Sequence, residues 1–311
     1  YYKIAPEIPH ALHMPTHIFT RLGYWQESID LNLRSAEVAK RLPVNGLISA
    51  QYFHAQDYAL YAYLQQSEFK EANEIAVLLD SLSGEFEPSP TTAYSLAAIP
   101  GRMALELQNW NEAANLSLNT HSNFPWHRFP QYVALIYFAK GIGAGRSGNS
   151  EIALQSFHKL EELQNSFEKT DANKYWIDQI EIQKRIVEAW ILFAKNEKEK
   201  SLETMIQAAK LEDATEKNPV TPGTLLPARE MLGDLLLEMN RPKDALIQYE
   251  LSLKNSPNRL NTLYGAGKSA ELLGNLHKAK FYFGVIIKNN KSSEPKNKRL
   301  AHSLDIVNKK M

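Results

Sequence analysis

The chain has 311 residues, of which 35 are basic and 35 acidic, so its formal net charge is zero. Because nucleic-acid binding needs a clustered basic surface, this balance argues against a nucleic-acid ligand. The absence of cysteine excludes disulfides, thiol catalysis and thiolate metal ligands, and the longest apolar run, 132–139, is too short to span a bilayer.

Turn residues recur along the chain, each followed five positions later by a small residue. The last two turns, Asn240 and Gly274, are 34 residues apart, which is the period of a helix–turn–helix tetratricopeptide repeat. Earlier spacings are 40 to 48 residues, so the first repeats have longer helices or longer connections. We therefore predict an all-α, right-handed superhelical solenoid of about seven repeats. The predicted turns are Gly23, Ser67, Gln108, Gly148, Asn196, Asn240 and Gly274.

The whole chain, 1–311, is predicted to be a single solenoid. Residues 1–220 contain the longer early repeats, 221–290 contain two repeats of near-standard length, and 291–311 form a polar tail that caps the array. Solenoids need such a cap because each end exposes a face that a neighbouring repeat would otherwise cover.

The first predicted helix carries the strongest chemical signal. His10, His13 and His17 are spaced by three and four residues, so they share one helical face. Their distances from the turn at Gly23 are those at which side chains of a first helix face the concave groove. Pro15 complicates this helix, because it removes a backbone donor and favours a kink between His13 and His17.

The same offsets from the turn at Ser67 select His54, Asp57 and Tyr61. First helices of adjacent repeats lie side by side, so we expect the histidines and Asp57 to converge. Several imidazoles and a carboxylate suit Zn²⁺, Cu²⁺ or Ni²⁺. A metal site is one hypothesis, and a metal-free polar pocket and a purely structural role are the alternatives. The candidate ligands are His10, His13, His17 and His54.

Equivalent positions in the later repeats describe the rest of the groove. It is predicted to be polar at the N-terminal end, apolar and aromatic in the middle and acidic towards the C-terminus. A basic clamp for a terminal carboxylate is absent from these positions, which argues against that class of partner. The selected residues are Arg102, Glu106, Trp190, Glu230 and Asp234.

Two connections are unusual. The segment 124–130 combines three aromatic residues with two prolines, so it either docks on the solenoid or offers Trp126, His127 and Arg128 to a ligand. The segment 212–230 is predicted to be a rigid loop in which Glu212, Asp213 and Glu216 form ion pairs with Lys217 or Arg229.

Two glycine-rich segments imitate nucleotide-binding loops. Neither 141–145 nor 265–269 follows a predicted strand, and the second lacks the first glycine of a phosphate loop. Gly233 and Gly267, like Gly101 and Gly141, lie seven residues before a turn. We therefore interpret these glycines as close packing between the two helices of a hairpin.

Three runs, 10–23, 175–190 and 212–230, resemble a family of bacterial tetratricopeptide repeat proteins. The resemblance implies the solenoid fold but no assigned reaction and no catalytic residue. It also implies a longer N-terminus, so the chain is expected to be truncated and to belong either in the bacterial cytoplasm or, with an export signal, in the periplasm or outside the cell.

These observations favour a non-enzymatic scaffold that binds a peptide or protein segment in its concave groove. The alternative is a metal-binding protein or metal-dependent hydrolase that uses the N-terminal histidines. The identity of the ligand and the oligomeric state stay open at this stage.

Overall fold

The computed structural model describes residues 2–117, 121–216, 220–290 and 297–309. Within these ranges it contains fifteen α-helices, one short 3₁₀ helix and no β-strand, so the predicted all-α solenoid is confirmed. The helices are α1 Pro9–Leu22, α2 Trp25–Lys40, α3 Ala50–Gln65, α4 Phe69–Asp80, α5 Pro90–Glu106, α6 Trp110–Ala114, α7 Pro130–Ser147, α8 Ser150–Asn165, α9 Asp171–Ala194, α10 Lys198–Asp213, α11 Ala228–Glu238, α12 Pro242–Asn255, α13 Leu260–Leu272, α14 Leu276–Asn289 and α15 Lys298–Asn308.

Fourteen of these helices pair into seven consecutive hairpins, and α15 packs against α14. The first helices of neighbouring hairpins also contact one another, from α1 through α3, α5, α7, α9 and α11 to α13. None of the described helices has both the length and the apolar composition that crossing a bilayer requires.

The seven predicted turn residues all adopt a left-handed backbone conformation, with φ between 56° and 82°. At each turn, the amide of the next residue donates to the carbonyl five positions before it, as Tyr24 does to Phe19 at 2.8 Å. This bond satisfies a carbonyl at the end of the first helix and reverses the chain into the second helix. The register inferred from the sequence is therefore the register of the hairpins.

Small residues allow the two helices of each hairpin to approach. A Cβ atom added to Gly233 would lie 2.7 Å from the ring of Tyr249, and one added to Gly267 would lie 2.6 Å from the ring of Phe283. Both glycines are thus packing residues, as predicted. The small residues that follow the turns are all fully buried; they are Ser28, Ala72, Ala113, Ala153, Ser201, Ala245 and Ala279.

The first hairpin is bonded to the connection between α12 and α13, far along the chain. Trp25 Nε1 donates to the carbonyl of Asn258 at 3.1 Å, and Asn258 Nδ2 donates to the carbonyl of Gly23 at 3.3 Å. The amide of Leu260, at the start of α13, donates to Gln65 Oε1 at 2.9 Å. The superhelix therefore closes on itself, and the concave side becomes the interior of the molecule.

Residues 220–227, here called the central segment, run across the concave side between α10 and α11. Tyr58 Oη lies 3.0 Å from the carbonyl of Val220, and Tyr94 donates to the carbonyl of Gly223 at 2.8 Å. Leu225 and Leu226 are buried in the core. The groove expected from the sequence is thus filled along this stretch by the chain itself.

Candidate functional site

Three of the four candidate metal-ligating histidines converge. α1 supplies His13 and His17, one helical turn apart, and α3, which packs against α1, supplies His54. One ring nitrogen from each of the three lies within 4.8 Å of the others. The rings of His13 and His54 have centroids 4.2 Å apart. We call His13, His17 and His54 the histidine cluster.

Hydrogen bonds define the proton position on His13. Asn32 Nδ2 donates to the carbonyl of Ser28 at 2.7 Å, which fixes the orientation of its amide. Asn32 Oδ1 consequently faces His13 Nδ1 at 2.7 Å, so His13 carries its hydrogen on Nδ1. His13 Nε2 then points a lone pair at His17 Nε2, 2.9 Å away.

The other side of His17 meets the central segment through Tyr58. The Tyr58 hydroxyl lies 3.0 Å from His17 Nδ1 and 3.0 Å from the carbonyl oxygen of Val220. Because a carbonyl oxygen only accepts, the hydroxyl donates to Val220 in this contact. The histidine cluster is therefore hydrogen-bonded to the segment that fills the groove.

Burial keeps two members of the histidine cluster neutral. It lowers the pKa of His13 to about 3, against the opposing effect of the hydrogen bond to Asn32. It also holds the pKa of His54 well below its usual value, and the neighbouring histidines lower it further. Neutral imidazole is the form that binds metal ions.

Two predicted members of this site lie elsewhere. His10 is exposed in the first turn of α1 and does not belong to the cluster. Asp57 is fully buried, but its Oδ1 lies 3.5 Å from Nε of Arg102, which makes Arg102 its partner. Burial raises the pKa of Asp57 to about 6 although Arg102 opposes this. The expected set of four histidines and a carboxylate therefore reduces to three histidines.

The predicted groove residues Tyr61, Glu106 and Glu230 converge on Arg259, which the sequence analysis did not select. Arg259 binds Glu230 through both carboxylate oxygens, at 2.7 and 3.0 Å, and donates from Nη1 to Glu106 at 2.6 Å. The same Nη1 donates to the Tyr61 hydroxyl at 3.2 Å. All four side chains are buried. We call them the Arg259 network.

The remaining predicted groove residues are engaged by Arg146, on α7. Its Nη1 donates to Asp234 Oδ2 at 2.8 Å, and Tyr249 donates to the other oxygen of Asp234 at 2.6 Å. The guanidinium lies between the rings of Trp110 and Trp190, 4.3 Å from each centroid. Trp190 and Asp234 thus belong to internal packing around Arg146.

The aromatic connection docks on the solenoid. Trp126–Arg128 form the 3₁₀ helix, and Phe124 and Phe129 on either side of it are buried. Trp126 meets the ring of Phe124 edge-on at 5.0 Å and packs against the core. His127 and Arg128 lie on the surface. Of the three predicted contact residues, only these two are exposed to a partner.

The end of α10 supports the central segment. Glu212 Oε2 accepts from the amide of Ala228 at 2.8 Å, at the start of α11. Arg229 Nε donates to Asp213 Oδ2 at 2.9 Å, which is one of the ion pairs predicted for this loop. Lys217, the other predicted partner, lies outside the described residues.

A cleft remains open beside the central segment. Its volume is about 210 Å³, and it lies between α9, the first hairpin, the central segment and the ends of α10 and α12. A second cavity of about 50 Å³ extends it along α9. The two cavities are adjacent, since six residues line both of them; these are Tyr175, Gln179, Glu212, Thr221, Gly223 and Thr224.

No protein-family model and no curated protein matches the chain. Among solved structures it is similar to a tetratricopeptide repeat protein from Parabacteroides merdae ATCC 43184, with a TM-score of 0.46, 15% identity and coverage of 96% of this chain and 98% of that one. It is also similar to the tetratricopeptide domain of P58(IPK), with a TM-score of 0.33, 12% identity and coverage of 98% and 90%. Yeast Tom70 gives a TM-score of 0.35, 13% identity and coverage of 97% and 89%.

Proposed function

We propose that this protein is a protein-interaction scaffold that holds an extended segment of a partner in the cleft beside the central segment. The observation that carries this proposal is the adjacency of the two cavities along α9, with Tyr175 and Gln179 on the wall of both. The partner segment would lie between α9 and the central segment, in place of the wide groove that the sequence suggested.

The size of the cleft favours a peptide over a small-molecule cofactor. Pockets for small molecules typically have volumes of roughly 300–1,000 Å³, whereas the main cavity measures about 210 Å³. That volume suits one large side chain of a partner, and the cavity of about 50 Å³ suits a smaller one further along. An extended peptide places alternate side chains on the same face, which matches two cavities in a row.

The lining favours a partner segment with both apolar and polar side chains. Trp25, Tyr61 and Tyr175 provide aromatic surface, and Thr215 and Thr221 provide hydroxyl groups. Aromatic side chains contribute most of the energy at many protein interfaces, since they bury a large area with few rotatable bonds.

The test is peptide selection from a random library on the immobilised protein, followed by fluorescence anisotropy of the selected peptides. We expect Tyr175→Ala to weaken binding at least about fivefold, because removing an aromatic anchor costs more than ~1 kcal/mol. The matched control is Phe281→Ala, which truncates an exposed aromatic residue on α14, away from the cleft. Selected peptides that bind Tyr175→Ala as tightly as wild type would place the interaction on another surface.

A further inference from the structure

Two ring nitrogens of the histidine cluster face one another. His13 carries its hydrogen on Nδ1, facing Asn32, so its Nε2 presents a lone pair. His17 Nε2 lies 2.9 Å from His13 Nε2, and the Tyr58 hydroxyl lies 3.0 Å from His17 Nδ1. In the tautomer with its hydrogen on Nδ1, His17 donates to Tyr58 and presents a lone pair from Nε2, so both Nε2 atoms can then bind one metal ion.

A third imidazole faces the same space. His54 is buried, and its ring centroid lies 4.2 Å from that of His13 and 5.8 Å from that of His17. One ring nitrogen of each histidine lies within 4.8 Å of the others. A divalent metal ion is stabilised by the three nitrogens directly, through coordinate bonds.

We propose that His13, His17 and His54 form a binding site for a divalent transition-metal ion, with Zn²⁺ as the representative ion. Imidazole ligands suit Zn²⁺, Cu²⁺ and Ni²⁺, and three of them leave a fourth position for water or another ligand. Zinc–nitrogen bonds are roughly 2.0–2.1 Å long, so two ligand atoms on one ion lie at most about 4.2 Å apart. Around a tetrahedral ion two such atoms lie about 3.4 Å apart. The candidate atoms lie within 4.8 Å of one another, so binding requires a closure of up to about 1.4 Å at the widest pair.

The positions of the three side chains on the helices favour this small closure. His13 and His17 are four residues apart on α1, the same i, i+4 spacing that presents two histidines to one zinc ion on a helix. Metal-ligating histidines usually donate their second N–H to a fixed acceptor, which orients the ring. Asn32 provides that acceptor for His13, and the Tyr58 hydroxyl provides it for His17.

The site would also connect metal binding to the central segment. Tyr58 joins His17 to the carbonyl of Val220, the first described residue of that segment. An ion that fixes the His17 ring fixes the hydrogen-bonded position of Tyr58 too. Metal binding therefore stabilises the contact between α3 and the segment that forms one wall of the cleft.

The experiment is isothermal titration of chelator-treated protein, prepared without a histidine tag, with ZnCl₂. We expect one equivalent of Zn²⁺ to bind wild type and His127→Gln, the matched control that removes an exposed histidine. His54→Gln and His17→Gln should bind at least about 100-fold more weakly, because each removes a direct ligand. No uptake by wild type at micromolar zinc, or unchanged uptake by His54→Gln, would overturn the proposal.

X-ray absorption at the zinc edge of the wild-type complex identifies the zinc ligands directly. Its result does not depend on whether a variant folds. Three imidazole nitrogens at about 2.0–2.1 Å would support the site. A spectrum dominated by oxygen ligands would assign the bound zinc to surface carboxylates and reject the histidine cluster. Circular dichroism of each variant confirms that a loss of binding is not a loss of fold.

Discussion

The histidine cluster and the Arg259 network both lie on the concave side of the solenoid. They differ in the polar groups that contact their buried side chains. In the Arg259 network, a guanidinium meets two carboxylates and a hydroxyl within hydrogen-bonding distance. In the histidine cluster, three imidazoles meet one another, an amide oxygen and a tyrosine hydroxyl.

This difference favours a structural role for the Arg259 network and is compatible with the metal-binding role proposed for the histidine cluster. Burying charges is costly, and the cost is recovered only when each charge has a close partner and further hydrogen bonds. The Arg259 network meets that condition with side chains from α3, α5 and α11 and the connection before α13. The histidine cluster instead brings together three imidazoles, a ligand type that suits Zn²⁺, Cu²⁺ and Ni²⁺. The following predictions test the two descriptions, beginning with the largest effect.

Replacing the central guanidinium should be the most damaging change. Arg259→Ala leaves Glu106 and Glu230 buried without a counter-charge, which typically costs about 3–5 kcal/mol in free energy of unfolding. Urea unfolding monitored by tryptophan fluorescence measures this loss. Arg128→Ala, at an exposed arginine, is the control and should stay within about 0.5 kcal/mol of wild type. A loss below about 1 kcal/mol for Arg259→Ala would contradict the structural role.

The raised pKa of Asp57 predicts that the free energy of unfolding depends on pH. The substitution Asp57→Asn should remove this dependence. Its pKa in the folded protein is about 6, against an ordinary value of 3.8, because burial outweighs the pairing with Arg102. The folded state therefore retains this proton more strongly, and the resulting stability is lost as the pH rises from about 4 through 6. At ~1.4 kcal/mol per pKa unit, and with part of the effect already lost at pH 4, the wild type should lose about 2 kcal/mol relative to Asp57→Asn between pH 4 and pH 7.

Urea unfolding of both proteins at pH 4 and pH 7 provides the measurement. Asp57→Asn also loses the ion pair with Arg102, which changes its free energy of unfolding at both pH values. The comparison therefore uses only the change in that free energy between pH 4 and pH 7. Asp30→Asn, at an exposed carboxylate, is the control. Parallel pH profiles for wild type and Asp57→Asn would show that Asp57 keeps an ordinary pKa.

Zinc should stabilise the fold through the histidine cluster. A ligand that binds only the folded state raises the free energy of unfolding by about 2.7 kcal/mol when its free concentration is 100 times its Kd. Differential scanning fluorimetry of wild type with and without ZnCl₂ measures the corresponding rise in Tm. His54→Gln should show no rise. An equal rise in both proteins would mean that zinc stabilises the chain at another site.

Asn32 should affect metal affinity without contacting the metal. Asn32→Ala removes the acceptor that holds His13 in its Nδ1–H form, and loss of such a partner typically weakens metal binding about 10- to 100-fold. Zinc titration of Asn32→Ala measures this effect. Equal affinity in wild type and Asn32→Ala would reject the positioning role.

The periodic part of this molecule was predictable from the sequence, because it depends on local chemistry. The seven turns were located from glycine, asparagine and small polar residues, and all seven are left-handed in the structure. The same register brought His13, His17 and His54 together. It also selected His10, but His10 is exposed in the first turn of α1. Helix α1 packs on α2 and α3 at the end of the array, whereas α3 packs between α1 and α5.

The closure of the superhelix was not predictable in the same way. Arg259 lies in the connection before α13, outside the repeated helical positions, so the repeat register gives no reason to select it. The central segment was expected to be rigid, but nothing in its prolines indicates that it crosses the concave side. Asn32 had a weak signal, since Ser28, Asn32 and Ser35 form a buried polar stripe on α2.

The bond between Trp25 and Asn258 joins residues 233 positions apart. Helical arrays normally fold from any nucleus and grow by local contacts, which makes them fast and tolerant of lost repeats. Here the first hairpin cannot reach its final contacts until the connection before α13 is in place. Folding must therefore close a very long loop, and fraying at one end removes contacts at the other. The chain should consequently unfold as one cooperative unit, and deletion of a single repeat should affect both ends at once.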